Sequence, residues 1–152
     1  MQAIYFDMDG TVYDLYGVDN WLEGLRAEDT TPYKCGNACV DLDALNEIMC
    51  AAVALGIVVG VITWSAMNGS KEYNKAVRKV KREWVQENMP YVTEFHCVKY
   101  GTPKHTTAKY RDSVLVDDNA DVRAKWSNGS TIDATKDILE ILKNFVAQLE
   151  NM

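Results

Sequence analysis

Acidic side chains come in pairs in this chain, and the pairs follow short apolar runs. Ala3-Ile4-Tyr5-Phe6 leads into Asp7-Met8-Asp9-Gly10-Thr11, and Val114-Leu115-Val116 leads into Asp117-Asp118-Asn119-Ala120-Asp121. A third run, Ile57 to Ile62, leads into Thr63-Trp64-Ser65, and Lys104 follows in Gly101-Thr102-Pro103-Lys104. If these runs are strands of one open parallel sheet, the residues after them share the crevice beyond its carboxyl edge, where such sheets bind ligands. Several carboxylates then meet there. Two such charges about 4 Å apart repel by roughly 4 kcal/mol at an effective dielectric of about 20. Apolar or amide side chains would fill the space without that cost, so the cluster calls for cations or for protonation of some members. A hard divalent ion with oxygen ligands meets the need, and one that keeps positions open for a phosphate oxygen points to Mg²⁺. Lys104 can add a second positive charge.

The elements that must place these residues are written in the apolar periodicity. Apolar runs alternate with helical patterns, the signature of an α/β fold with a parallel sheet covered on both faces. Ala3 to Phe6, Ile57 to Ile62 and Val114 to Val116 read as buried strands, Val92 to Val98 as a weaker one and Ser130 to Ile132 as a short edge strand. Asp41 can cap a helix in which Leu42, Leu45, Ile48, Met49, Ala52 and Val53 recur at helical spacing, and Gly56 can end it. Ser70 can cap a second helix with Tyr73, Val77, Val80 and Trp84 inward. Lys71, Lys75, Arg78, Lys79, Lys81 and Arg82 read as its outward basic face. Thr135 can cap a last helix with a broad apolar stripe from Ile138 to Leu149.

Residues 13–40 fit this rhythm least. The stretch is rich in Gly, Asp and aromatics, with one short helix expected around Trp21 to Arg26. A long irregular insertion in a compact domain is usually functional or mobile, and this one directly follows the first strand. With 152 residues and 47% hydrophobic content, the chain is expected to form one domain, residues 1–152, with that insertion as a small cap. A net charge of −6 disfavours bare polyanions such as DNA, without excluding a local basic patch. The N-terminus meets Asp7 too early for a signal peptide, and no apolar run is long enough to span a bilayer. The 4 cysteines lack a paired zinc spacing and read as reduced thiols, which points to the cytoplasm.

The four loops together resemble the motifs of the haloacid dehalogenase (HAD) superfamily. Asp7-Met8-Asp9-Gly10-Thr11-Val12 is similar to its first motif, Thr63 after Gly60-Val61-Ile62 to its second, Lys104 to its third and Val116-Asp117-Asp118-Asn119 to its fourth. The order is the family's own, and the motifs cover nearly the whole chain. Within the superfamily the chain looks most like small phage and bacterial HAD-like proteins and, more loosely, the 5′(3′)-deoxyribonucleotidases. The resemblance implies a three-layer Rossmann-like core and a Mg²⁺-dependent phosphatase. It makes Asp7 the nucleophile that forms an aspartyl-phosphate, and Asp9 the acid and then the base. Thr63 would hydrogen-bond a phosphoryl oxygen, with Ser65 as a competitor, and Lys104 would offset charge, with Lys99 as a rival. Asp7, the main-chain carbonyl of Asp9 and Asp117 would hold Mg²⁺, with Asp118 or Asp121 in support. Gly10 lets the backbone turn beside the phosphate, and Thr11 and Trp64 lie within reach of the substrate.

Other readings of the same residues remain open. Asp-x-Asp-Gly-Thr suits a turn with glycine at positive φ, and it also opens like a calcium loop, although the ligand periodicity stops at Thr11. Asp117 or Asp118 can cap the helix that follows. Phosphorelay receiver domains use the same residue types, but there the acidic pair comes first and the lysine last. The expected substrate is a small phosphorylated metabolite, possible nucleotides included, with Tyr13, Tyr16, Trp21 and Tyr33 available to stack on a base or sugar. Phosphorylated polynucleotide ends and a non-catalytic phosphate- or partner-binding role are the alternatives. The sequence leaves the oligomeric state open.

Overall fold

Four consecutive apolar residues without polar alternation make β1 (Ala3–Phe6) a strand buried on both faces, and all four are fully buried. A computed structural model describes residues 1–152. After β1 come α1 (Trp21–Arg26), a 3₁₀ turn (Thr31–Tyr33), α2 (Leu42–Ala54), β2 (Val58–Trp64), α3 (Lys71–Asn88) and β3 (Val92–Val98). The chain continues through α4 (Lys104–Thr107), β4 (Ser113–Asp117), α5 (Ala120–Lys125), β5 (Thr131–Asp133) and α6 (Ile138–Glu150). The strands form one parallel sheet in the order β3-β2-β1-β4-β5. Strand order reverses between β1 and β4, and the crevice of such a sheet opens beyond the carboxyl ends of those two strands.

The two faces of the sheet are covered unequally. Ile4, Phe6, Val59, Val61, Val114 and Val116 join α2, α3 and α6 in a large core. Ala3, Tyr5, Ile62 and Leu115 face the other way into a small cluster closed by Trp126, with Ala108, Tyr110 and Val122 around it. The result is an α/β three-layer core, thick on one side and thin on the other. No helix is long and apolar enough to cross a membrane.

Local chemistry sets the helix ends. Asp41 accepts from Ala44 N at 3.2 Å to cap α2, and Ser70 Oγ accepts from Tyr73 N at 3.1 Å to cap α3. The last helix departs from expectation. Asp137, not Thr135, caps α6, while Thr135 donates its amide and hydroxyl to Asp133 Oδ1 at 2.9 and 2.7 Å in the preceding turn. Val53 shares the helical spacing of the apolar residues of α2, but its side chain is exposed. Neither Asp117 nor Asp118 caps α5: Asn119 does, accepting from the amides of Asp121 and Val122.

Candidate active site at the carboxyl edge of the sheet

Register brings the first and last acidic motifs together. Phe6 pairs with Val116, so the next residues, Asp7 and Asp117, leave the sheet side by side, with Asp7 N donating to Val116 O at 2.9 Å. The alternation of a strand then decides their direction. Phe6 and Val116 face the thick core, so Asp7 and Asp117 fall on the thin side. Lys104, the first residue of α4, meets them there: its Nζ donates to Asp7 Oδ1 at 2.7 Å and to Asp117 Oδ2 at 2.8 Å. All three side chains are almost fully buried.

Gly10 brings the third carboxylate in. The loop after Asp7 folds around the Met8 carbonyl, which accepts from the amides of Thr11, Val12 and Tyr13. This turn needs φ 83° at Gly10, and a Cβ there would collide with Asp118 Oδ2. Thr11 Oγ1 donates to Asp7 Oδ2 at 3.0 Å and lies 3.4 Å from Asp118 Oδ1. Asn119 N fixes Asp117 Oδ1 at 2.9 Å.

Asp7, Asp117 and Asp118 each offer an oxygen within 4.8 Å of the others. Burial works against the charge on Asp7, but Lys104 and hydrogen bonds from Lys104, Asp118 and Thr11 hold it below the usual carboxylate range. Burial and then Asp7 push Asp117 up against the pull of Lys104, and the same two causes push Asp118 up to about 7. One ammonium therefore does not neutralise three clustered carboxylates. The donor set fits a hard divalent cation: it is all oxygen, carries excess negative charge, and each bonded carboxylate oxygen retains a second lone pair.

A cavity of about 480 Å³ opens over this cluster. Asp7, Asp9, Lys104, Asp117 and Asp118 line it, as do Trp64 and Ser65 from the end of β2. The insertion supplies the opposite wall through Tyr16, α1 and Tyr33. It is held to the body by Tyr73 Oη, which donates to Asp29 O at 2.8 Å, and by Glu28, which accepts from Ser70 N and Oγ at 2.7 Å each.

Comparison with known proteins bears on the fold. No family model matches the chain, and no curated protein matches it. Among solved structures, D,D-heptose 1,7-bisphosphate phosphatase from Burkholderia thailandensis is similar over 100% of both chains, at 11% identity and a TM-score of 0.54. The fold is HAD-like. An uncharacterized protein from Corynebacterium glutamicum aligns over 93% of this chain and 95% of its own, at 16% identity and a TM-score of 0.47. Neither match speaks for the narrower resemblance to small phage proteins or to deoxyribonucleotidases.

Within this HAD-like frame, several sequence-predicted residues stand apart from the carboxylate cluster. Lys99 and Asp121 are exposed, and neither lines the cavity. Thr63 is buried and also stays out of the cavity wall, whereas Ser65, two residues on, lines it. Strand parity explains the difference: Val61 faces the thick core and Ile62 the thin side, so Thr63 turns toward α3 and Trp64 toward Lys104. The Trp64 ring centroid lies 5.4 Å from Lys104 Nζ, and Trp64 Nε1 donates to Thr102 O at 2.9 Å.

What Thr63 faces is the residue whose placement was misread. Lys81 does not belong to the solvated basic face of α3: it is fully buried, and its Nζ donates at 2.8 Å to each of Asp9 Oδ2, Thr63 Oγ1 and Trp64 O. Its Nζ also lies 4.9 Å from the centre of the Tyr33 ring. Burial outweighs the pull of Lys81 and leaves Asp9 above the usual carboxylate range. Asp9 Oδ1 is buried without a hydrogen-bond partner. A signal was present: Tyr73, Val77, Lys81 and Val85 lie at successive i,i+4 positions, on the buried stripe of α3.

Proposed function

We propose that this chain is a Mg²⁺-dependent phosphohydrolase that cleaves small phosphate monoesters in the cytoplasm, with Asp7 as nucleophile. The observation that carries the reading is the convergence of Asp7, Asp117, Asp118 and Lys104 at the strand-order reversal, under a cavity of about 480 Å³. A purely structural role does not account for three clustered carboxylates with one ammonium among them. The heptose bisphosphate phosphatase of like fold is consistent with this chemistry.

Asp7 attacks phosphorus through a carboxylate oxygen, and the ester P–O bond breaks as the aspartyl-phosphate forms. Asp9 gives a proton to the departing oxygen and then takes one from water as that water attacks the aspartyl-phosphate, releasing phosphate and restoring Asp7. Lys104 stays on Asp7 and Asp117 throughout and offsets charge beside the phosphoryl group. Ser65, which lines the cavity, and the backbone beside Gly10 would hold phosphoryl oxygens. Mg²⁺ would be bound by Asp7, Asp117 and the main-chain carbonyl of Asp9, supported by Asp118, and would stabilise charge on the phosphoryl oxygens.

The second reading, phosphate binding without turnover, is favoured by the hold of Lys81 on Asp9 Oδ2. The free Oδ1 of Asp9 favours hydrolysis. Polynucleotide ends lose their support, since none of Lys71, Lys75, Arg78, Lys79 and Arg82 lines the cavity. Acid-quenching during turnover of a radiolabelled monoester tests the chemistry. The expected result is acid-stable, hydroxylamine-labile label on Asp7, and turnover with no label on any carboxylate contradicts it.

A further inference from the structure

The carboxylate cluster is flanked by aromatic rings on two sides. Tyr16 packs beside Gly10: a Cβ built there would meet the Asp118 carboxylate first and would lie 3.0 Å from Tyr16 Cε2. On the other flank the Trp64 ring lies 5.4 Å from Lys104 Nζ. Each ring is buttressed by a second one. Tyr16 and Trp21 pair edge to face at 5.0 Å and 77°, and Trp64 and Tyr100 pair at 5.0 Å and 58°. All four rings line the same cavity, one pair from the insertion and one from the body.

Exposure points the same way. Of the 7 large hydrophobic side chains that are exposed, Tyr16, Leu22, Met67 and Tyr100 line this cavity. Apolar groups left in water and gathered at one opening mark a binding surface rather than leftover core. A volume of about 480 Å³ also exceeds what a bare phosphate needs and falls among small-molecule sites.

Resting on the phosphohydrolase reading above, we infer that the preferred substrates are monoesters whose leaving group carries a flat aromatic ring, received between the Tyr16–Trp21 and Trp64–Tyr100 pairs. Ring faces attract a second ring in offset or edge-on contact, which a saturated group of equal size cannot match. Carbohydrate phosphates, the class named for the structural neighbour, gain less from such walls.

Affinity for non-hydrolysable phosphonates separates this inference from turnover. With Mg²⁺ present, calorimetry on the native protein compares 2-phenylethylphosphonate with 2-cyclohexylethylphosphonate, butylphosphonate and a hexose phosphate. The phenyl compound should bind about tenfold more tightly than the cyclohexyl one, the scale of one good aromatic contact. In Tyr16→Leu and Tyr100→Leu, both changes of exposed side chains, that ratio should shrink toward one. Equal affinities in the native protein, or tighter binding of the hexose phosphate, overturn the inference and leave the phosphohydrolase reading standing. A ring preference with no hydrolysis of any ester upholds the slot and removes the phosphohydrolase reading instead.

Discussion

Lys81 Nζ donates to Asp9 Oδ2 at 2.8 Å, joining α3 to the loop after β1 across 72 residues of sequence. Lys81 is fully buried, and its three acceptors replace the water it has lost. Removing one partner of such a pair leaves the other charge buried and alone. Lys81→Met should therefore lower stability by about 3 kcal/mol, read from the denaturant midpoint. Adding Asp9→Asn should return part of that loss. An unchanged midpoint in Lys81→Met argues against the pair as a structural tie.

Thr63 and Ser65 should respond differently to loss of the hydroxyl. Thr63 serves Lys81, so Thr63→Val should lower stability by about 1–2 kcal/mol. Ser65 faces the cavity, so Ser65→Ala should leave the melting temperature nearly fixed and lower kcat/KM about tenfold, near 1.4 kcal/mol of transition-state binding. Parallel melts and steady-state assays would distinguish them, and a reversal of the two effects would return the phosphate contact to Thr63.

Gly10 is constrained twice, by φ 83° and by the carboxylate of Asp118. Gly10→Ala should cost about 1–2 kcal/mol in backbone strain. It should also displace Asp118 and weaken Mg²⁺ binding, visible as a smaller thermal shift on Mg²⁺ addition.

A cation bound by the folded state alone must stabilise it. At a hundredfold excess over Kd the gain is about 2.7 kcal/mol, so Mg²⁺ should raise the melting temperature of the native protein. Asp117→Asn removes a buried carboxylate of the cluster and should abolish most of that shift. A full shift in the variant places the cation elsewhere.

Much of this site is legible in the sequence, because strand ends announce themselves. Continuous apolar runs gave β1 and β4 their position, and the register of one parallel pair then aligned Asp7 with Asp117. Lys104 was readable as the residue opening a helix before β4. The second motif was harder. Extending β2 from Ile62 to Trp64 brings Thr63 into the strand, where alternation turns it toward α3. Composition misleads most on α3, since basic residues fill its outer face and Lys81 reads as one more of them. Its i,i+4 spacing from Val77 and Val85 places it inward, but only the fold supplies the acceptors that make a buried ammonium tolerable. The cap of α6 failed for a local reason, because Asp133 draws Thr135 into its own turn.

Central to the proposed chemistry is the reaction of Asp7 with phosphate esters beside a bound divalent cation. Hydrolysis of a generic aryl phosphate should be followed for native protein and for Asp7→Asn, with Mg²⁺ and with excess chelator, after confirming that both proteins melt cooperatively. Turnover is expected in the native protein with Mg²⁺, and neither in chelator nor in the folded Asp7→Asn variant. Equal rates for the two proteins, or native turnover indifferent to chelator, would contradict it.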